Sequence, residues 1–174
     1  LDTRFNAHGG GVFSLKGHTR NEVKEDKIIL NKYKVPKTLD ELTKDKFVKS
    51  GAAKRKNAFN THNEMQNEIA RILSGKENEI FTVKSGPNVD LCWKKNEEFS
   101  FLEVKSINDS NESHQIRLGL GQASEYRVRF QKLGYEVKNC YLAVTAKPKE
   151  KYWKEVCKSL DINLITPSDL LKIK

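Results

Sequence analysis

The amino-acid sequence predicts an α/β fold in which a central mixed β-sheet is flanked by helices. From residue 60 onward, segments with a helical period of apolar residues alternate with short runs typical of strands, in the order α-β-β-β-α-β-α-β. Helices on both faces of a sheet are the usual way to bury apolar segments in such an order. The chain has 174 residues, which is enough for one domain with a single core. We therefore expect one domain over residues 60–174, preceded by an irregular basic extension over residues 1–59.

Apolar periodicity predicts the helices. Met65, Ile69 and Leu73 are spaced so that they share one helical face, and a helix is expected from Asn60 or Thr61 to Leu73. Ser74 and Gly75 follow as a stop. The other segments with a helical pattern are Gln115–Leu133, Lys149–Leu160 and a terminal turn at Ser168–Ile173.

Five short segments have the composition and length of β-strands and are bounded by turn-forming or polar residues. They are Ile80–Val83, Val89–Trp93, Phe99–Ser106, Cys140–Thr145 and Ile162–Ile165. Only the polar segment Lys94–Glu98 separates the second of these strands from the third, and we expect it to be a hairpin loop. The second and third strands should therefore be antiparallel neighbours.

The pattern is weaker in the first 59 residues. Gly9-Gly10-Gly11 is expected to be flexible or to turn sharply. A short apolar run occupies residues 28–30 and is followed by Pro36. Thr38 is a candidate helix N-cap, with Glu41 at the third helical position. This extension is also a candidate for a dimer interface or for an arm that contacts substrate.

The chain is strongly basic, with a formal net charge of +9 at pH 7. A basic surface favours approach to a polyanion such as nucleic acid, although a solvated lysine-rich surface gives the same composition. The segment Lys44–Lys56 is especially basic. It is open to interpretation as a disordered linker, as an arm that contacts phosphates, or as the polar face of a helix. In the second case, Lys54 and Arg55 are candidate nucleic-acid contacts.

The cysteines and the apolar runs exclude several classes of protein. Cys92, Cys140 and Cys157 are widely spaced and form no C-x-x-C pattern, which argues against a zinc site or a disulfide framework. Buried thiols in a reducing compartment are expected instead. No apolar run approaches the length that spans a bilayer, and the first residues lack the apolar core of a secretory signal. These features favour a cytoplasmic, bacterial-type intracellular protein with no membrane partner.

Two carboxylates and a lysine occur within apolar strand segments. Asp90 stands between Val89 and Leu91, and Glu103-Val104-Lys105 follows thirteen residues later. Residues two apart in a strand point to the same face, so Glu103 and Lys105 are neighbours. The predicted hairpin would bring Asp90 beside them. A solvated ion pair on a surface strand would give the same alternation, but burying a charged group without a partner is costly, so two such groups in an apolar strand need an explanation.

These residues resemble the PD-(D/E)XK nuclease superfamily. Pro87-Asn88-Val89-Asp90 is followed by Glu103-Val104-Lys105 within the order helix, three strands, helix, strand, over roughly residues 60–166. In the family the proline normally precedes the aspartate directly, whereas here two residues separate them. The resemblance implies a restriction-endonuclease-like α/β/α core and a catalytic set of Asp90, Glu103 and Lys105. It further implies Mg²⁺, with Mn²⁺ able to substitute, held by Asp90, Glu103 and the carbonyl of Val104. Lys105 would then act on the attacking water or the scissile phosphate.

Members of this superfamily often carry a further acidic residue on the first helix. Glu68 and Gln66 both lie at the boundary of the apolar stripe there, whereas Glu64 lies farther from its centre. His62 lies four residues before Gln66, on the same side. We expect Glu68 to complete the catalytic set, with Gln66 as the alternative.

A second helical motif resembles the Q-x-x-x-Y pattern of RecB-like nucleases. Gln122 and Tyr126 are four residues apart on one helical face, after a helix start that Gly119 and Gly121 are expected to interrupt. The resemblance implies that Gln122 orients a metal-bound water or a phosphate, and that Tyr126 stacks on a base or bonds a phosphate. The alternative is an ordinary core tyrosine. Candidate phosphate contacts near the motif are Arg117, Arg127 and Arg129, and His114 is a weaker candidate in the loop before the helix.

The sequence therefore predicts a metal-dependent nuclease acting on nucleic acid, with double-stranded DNA as the expected substrate. An endonuclease of a restriction, defence or recombination system is the first interpretation. An RNA-cleaving, toxin-type nuclease of the same fold and a non-catalytic nucleic-acid-binding domain are the alternatives. A homodimer is also expected, because cutting both strands of a duplex with one site per chain usually needs two chains.

Overall fold

A computed structural model describes residues 5–8, 12–15, 28–35, 52–76 and 78–174. The described strands are β1 (Phe5–His8), β2 (Val12–Leu15), β3 (Ile29–Lys32), β4 (Glu79–Ser85), β5 (Leu91–Lys95), β6 (Glu98–Lys105), β7 (Val137–Val144) and β8 (Asn163–Ile165). The described helices are α1 (Ala52–Ser74), α2 (Glu112–Lys132), α3 (Tyr152–Ser159) and a short 3₁₀ helix (Pro167–Lys172). The predicted elements at Gly9–Gly11 and at Thr38–Glu41 lie outside the described residues.

Strands β3 to β8 form one six-stranded sheet in their order along the chain, and β1 pairs with β2 in a separate two-stranded sheet. Pairing is antiparallel from β3 through β6 and parallel from β6 through β8. The parallel connections pass through α2 and α3, as parallel strands require. The predicted α/β fold with a mixed sheet flanked by helices is therefore confirmed.

The two faces of β6 pack against different helices. Phe101 belongs to an apolar cluster with residues of α2, including Ile116 and Phe130. Leu102 and Val104 belong to a second cluster with residues of α1. This is the alternation expected of a strand that is covered on both sides. Since β6 also lies between β5 and β7, it is the most enclosed strand of the sheet, and its polar residues are held within the fold.

The hairpin between β5 and β6 is tighter than the sequence indicated. The predicted loop covered residues 94–98, but Lys94 pairs with Phe99 and Lys95 with Glu98. Only Asn96 and Glu97 form the turn, and their φ angles of 50° and 67° are positive. Positive φ at both central residues is typical of the two-residue turn whose twist matches the paired strands.

The first helix of the core begins earlier than predicted. Helix α1 starts at Ala52 rather than at Asn60 or Thr61, so the end of the basic segment is helical. Strand β3, which lies within the predicted extension, pairs with β4 at the edge of the main sheet. The core therefore includes residues on both sides of position 60. Strand β3 adds an edge strand to the sheet, and α1 is longer at its N-terminal end than predicted.

Helix α2 is continuous from Glu112 to Lys132, so the expected interruption at its two glycines is wrong. Gly119 is buried where α2 crosses the sheet. A Cβ at Gly119 would lie 2.4 Å from Leu142 Cδ1 and 3.1 Å from Lys105 Cγ. At Gly121, in contrast, a Cβ would meet no atom within 4 Å. Gly119 therefore permits the close approach of α2 to Lys105.

The N-terminal turn of α2 is fixed to the loop that follows β7. The buried carboxylate of Glu112 accepts hydrogen bonds from the backbone N–H of Lys149 at 2.8 Å and of Glu150 at 3.3 Å. It also accepts one from Trp153 Nε1 at 3.2 Å. Three donors compensate the cost of burying this carboxylate. The contact ties α2 and α3 to the same end of the parallel strands.

All three cysteines are buried and unpaired with one another, as the sequence predicted. Burial raises the pKa of the Cys92 thiol to about 12 and that of Cys157 to about 11, so both are neutral at physiological pH. In the described part of the chain, no helix combines the length and the apolar character needed to cross a membrane.

The two glycines of α2 provide a matched test of this packing. Gly119→Ala should lower the free energy of unfolding by about 1–3 kcal/mol, because the added methyl group enters filled space. Gly121→Ala should raise it by about 0.5–1 kcal/mol, because the site is open and alanine is the better helix former. Urea denaturation of both variants checks these values. Equal effects of the two substitutions would contradict the close approach at Gly119.

Candidate active site

The register of the β5–β6 pair brings Asp90 beside Glu103. Leu91 pairs with Leu102, so the residue before β5 lies next to the residue after Leu102. Asp90 itself is one residue outside β5, not within it as predicted. The reason is that Asp90 Oδ2 accepts the backbone N–H of Val104 at 2.7 Å and replaces the usual strand-to-strand bond there. The carboxylate is thereby fixed against the strand that carries Glu103 and Lys105.

Glu103 and Lys105 form a buried ion pair on the face of β6 that α2 covers. Lys105 Nζ donates to Glu103 Oε1, and the Glu103 residue is only 3% exposed. The pKa of Glu103 is raised to about 7, first by burial and then by the charge of Asp90, and this value includes the opposing effect of the contact with Lys105. A solvated surface pair is therefore excluded. The strand carries two carboxylates and one cation in a region shielded from water.

Helix α1 contributes two polar side chains that contact Asp90. His62 Nε2 lies 3.2 Å from Asp90 Oδ1, where a ring N–H can donate to the carboxylate. Gln66 Nε2 donates to the backbone carbonyl of Asp90 at 2.6 Å. Both residues lie on one face of α1, four residues apart. They hold the backbone and the side chain of Asp90 from the side opposite to β6.

The structure does not bring Glu68 to this cluster. Its carboxylate lies 2.6 Å from Arg71 on the outer side of α1, and the side chain is 42% exposed. Glu68 lies two residues from Gln66, which is a rotation of about 200° around a helix. Once Gln66 faces Asp90, Glu68 must therefore face away. Of the two candidates on the first helix, the alternative, Gln66, is the one at the site.

The Gln122–Tyr126 motif holds the loop that carries Asp90. Gln122 Nε2 donates to Tyr126 Oη at 3.0 Å, and Tyr126 Oη donates to the carbonyl of Asn88 at 3.0 Å. The ring of Tyr126 is buried and packs edge-on against Phe101. It is therefore unavailable for stacking on a base, and the core-tyrosine alternative describes it. Burial, and after it the charge of Glu103, raises the pKa of Tyr126 to about 12.

The three arginines predicted to contact phosphates are engaged elsewhere. Arg117 lies over the ring of Trp153, with 5.8 Å from Cζ to the ring centroid. Arg127 donates to the carbonyls of Leu160 and Asp161, which is a structural role. Arg129 lies 3.4 Å from Glu125 on the same helix.

The remaining candidates are one histidine of α2 and two basic residues of α1. His114 is exposed in the first turn of α2, and not in the loop before the helix as predicted. Lys54 and Arg55 belong to the first turns of α1, and their side chains lie outside the described part of the chain.

The cluster opens to the surface through a groove of about 460 Å³ between α1 and the start of α2. The groove is lined by Ala58, Phe59, His62, Asn63, Gln66, Asp90, Val104, Lys105, Ser106 and Gln115. His62 could have been found from its spacing to Gln66. Gln115 and Phe59 could not, because only the packing of the two helices around the end of β6 places them on the same groove.

The oxygen atoms of the cluster are of the kind that binds Mg²⁺. Glu103 Oε2 and Gln122 Oε1 are buried and have no hydrogen-bond partner among the described residues. An unpaired buried acceptor is costly, and a cation or a water would satisfy it. The described residues include no group of three or more His, Cys, Asp or Glu side chains arranged to hold a metal. Mg²⁺ commonly needs only one or two carboxylates, with waters and substrate phosphates completing its shell. Asp90 and Glu103 meet that requirement.

Comparisons with known proteins assign no family to the chain. No family model matches it, and no curated protein matches it. Among solved structures, the chain is similar to the crystal structure of a protein of unknown function, AF1548, with 20% sequence identity and a TM-score of 0.42. The match covers 63% of this chain and 59% of that chain, so this chain spans less than two thirds of that protein's length. A similarity at this level assigns neither a fold nor a function.

The hydroxyl of Tyr126 is expected to stabilise the loop before β5. Tyr126→Phe removes its bond to the carbonyl of Asn88 and the acceptor for Gln122, which should lower the free energy of unfolding by about 0.5–1.5 kcal/mol. Tyr152→Phe is the control, because Tyr152 is exposed, and it should change stability by less than about 0.5 kcal/mol. Chemical denaturation of the two variants checks this. If Tyr126→Phe unfolds at the wild-type denaturant concentration, the hydroxyl does not hold the loop.

Proposed function

We propose that this chain is a Mg²⁺-dependent nuclease that hydrolyses phosphodiester bonds, with DNA endonuclease activity as the first expectation. The observation that carries the proposal is the placement of Glu103. This residue is buried in β6 beside Asp90 and Lys105, and both of these neighbours line the open groove. The motif resemblance from the sequence and the basic net charge support the same conclusion.

The charges at the site explain why a cation is expected. Burying a carboxylate is unfavourable unless it is paired and hydrogen-bonded. Lys105 contacts one oxygen of Glu103 and leaves Oε2 without a partner, while Asp90 adds a second negative charge nearby. A fold that needed only packing at this position would be better served by an apolar side chain. The site therefore suits a bound divalent cation and, with it, an anionic substrate.

Each polar group has a definite place in such a reaction. Asp90 and Glu103 would hold Mg²⁺, with the carbonyl of Val104 as a further oxygen ligand. Bound Mg²⁺ supplies charge neutralisation at the phosphoryl group and lowers the pKa of a bound water. Lys105 lines the groove, where its ammonium can contact the phosphate or the attacking water. Gln122 Oε1 can accept a hydrogen bond from a water at the site.

The residues of α1 would act through Asp90. His62 and Gln66 fix the orientation of its carboxylate and its backbone, so the metal-binding oxygen is positioned before the metal arrives. Tyr126 of α2 fixes the loop before Asp90 through its hydrogen bond to the carbonyl of Asn88. The dimeric state and the preference for double-stranded DNA remain predictions from the sequence. A digestion panel of duplex DNA, single-stranded DNA, branched DNA and RNA separates the DNA and RNA alternatives.

Substitution of the central residues tests the activity directly. Asp90→Ala and Lys105→Ala should each reduce Mg²⁺-dependent cleavage by about 100-fold or more, because the first removes a proposed Mg²⁺ ligand and the second removes the positive charge beside the reacting phosphate. Asp109→Ala and Lys95→Ala are matched controls at exposed positions and should cleave as wild type does. The measurement is the initial rate of cleavage across the substrate panel, with circular dichroism to verify folding. Folded Lys105→Ala that cleaves at the wild-type rate would contradict the assignment, and so would wild-type cleavage that survives chelation.

Metal binding can be tested without any substrate. Mg²⁺ that binds only the folded chain should raise its stability by about 2.7 kcal/mol at a concentration of 100 times Kd. The thermal unfolding midpoint of wild type should therefore rise with Mg²⁺, and that of Asp90→Ala should not. Asp109→Ala should behave as wild type does. An equal rise in Asp90→Ala would place the bound metal elsewhere.

A further inference from the structure

Phe59 is an aromatic side chain on the wall of the groove that leads to Lys105. Its residue is 39% exposed, although large aromatic side chains are usually buried. Phe59, His62 and Gln66 are spaced at i, i+3 and i+7, so they lie along one face of α1. All three line the groove. The face of α1 that contacts Asp90 therefore extends one turn toward the N-terminus, where it carries the exposed ring of Phe59.

This turn of α1 is fixed to the strand that carries the site. Ser106, which directly follows Lys105, donates its hydroxyl to the backbone carbonyl of Ala58 at 2.7 Å. Ala58 is the neighbour of Phe59 in the chain. The bond sets the distance between the ring and the end of β6, so the ring is presented at a defined position beside Lys105.

A polar side chain of α2 also lines the groove. Gln115 carries both a donor and an acceptor. The ring of Phe59, the carboxamide of Gln115 and the ammonium of Lys105 suit the three parts of a nucleotide: the face of the base, its polar edge and its phosphate. The volume of about 460 Å³ lies within the range of small-ligand pockets, roughly 300–1,000 Å³.

We propose that Phe59 stacks on an unpaired base of the substrate, so that the groove takes a single-stranded or locally unpaired strand next to the scissile phosphate. A base in a duplex is stacked on both faces, and a protein ring reaches its face only where the strand is single or the base has left the stack. Stacking on an aromatic ring tolerates any base, so little sequence preference is expected at this position. This inference rests on the proposed nuclease function for its substrate and refines that substrate from nucleic acid in general to an unpaired strand.

Direct binding tests the proposal apart from catalysis. Full-length wild type, Phe59→Ala, Phe59→Leu and Phe59→Trp are titrated against a fluorescently labelled oligothymidylate and against a labelled blunt-ended DNA duplex, in buffer with a chelator. An oligouridylate arm reports whether RNA is bound by the same ring. Phe59→Ala and Phe59→Leu should weaken single-strand binding by about 5- to 100-fold, whereas Phe59→Trp should retain it. Duplex binding should change by less than about 2-fold in every variant, since a paired base within the duplex does not reach the ring.

Phe59→Leu separates stacking from simple apolar contact, because leucine is apolar but has no aromatic face. If Phe59→Leu binds the oligothymidylate as tightly as wild type does, the proposal is overturned. An equal loss on the blunt-ended duplex, or no binding of either single strand by wild type, would overturn it too. Thermal unfolding of each variant excludes a loss caused by misfolding, and a stability loss without a change in binding would assign the ring to packing alone.

Failure of this inference is distinguishable from failure of the proposed function. If wild type binds the oligothymidylate through Phe59 but cleaves nothing with Mg²⁺, the nuclease assignment fails and the stacking site stands. If wild type cleaves and Asp90→Ala does not, while Phe59→Ala binds and cleaves single strands normally, the stacking site fails and the nuclease assignment stands.

Discussion

The hydrogen bond from the Val104 N–H to Asp90 Oδ2, at 2.7 Å, joins the sheet to the candidate site. In the sheet it takes the place of a backbone pairing, so β5 begins one residue after Asp90. In the site it fixes a carboxylate of the loop before β5 against the strand that carries Glu103. Because β6 is paired on both edges and covered on both faces, the position of this carboxylate is as rigid as the core itself. The polar contacts of α1 and the loop contact of α2 act on this fixed point.

The two helices that cover the sheet approach the site for different reasons. Helix α1 presents a polar end face, where His62 and Gln66 contact Asp90. Helix α2 approaches through Gly119, which leaves room for the stem of Lys105. Its next turns carry the Gln122–Tyr126 pair that holds the loop before β5. Helix α1 thus orients the carboxylate of Asp90, and α2 confines Lys105 and the loop before β5. A substitution in either helix is therefore expected to shift the same few atoms of the site.

The sequence predicted five of the six strands of the main sheet, the order of these core elements and the proximity of Asp90, Glu103 and Lys105, because strand alternation and hairpin pairing depend on local spacing. It did not separate Glu68 from Gln66. Both flank the apolar stripe of α1, and only the packing of that helix decides which flank faces Asp90. Local spacing likewise assigned Tyr126 to the substrate, since nothing local shows that its ring faces the core. Whether a residue such as Gln115 lines the groove depends on contacts between elements that are distant in the sequence. No local sequence pattern indicates such contacts.

The buried charge of Glu103 lowers the stability of β6, the strand that carries it. Burial and the charge of Asp90 both oppose ionisation of Glu103, and Lys105 compensates only in part. The apolar clusters on both faces of β6 supply the stability that allows such a strand to fold with an unpaired oxygen in it. An apolar residue at position 103 would remove the cost of burying a carboxylate but would leave the ammonium of Lys105 without its partner, so the two charges belong to the site together. The buried oxygen of Glu103 that has no partner among the described residues, beside a second carboxylate, is the strongest physical reason to look for a cation and a phosphate at this end of the sheet.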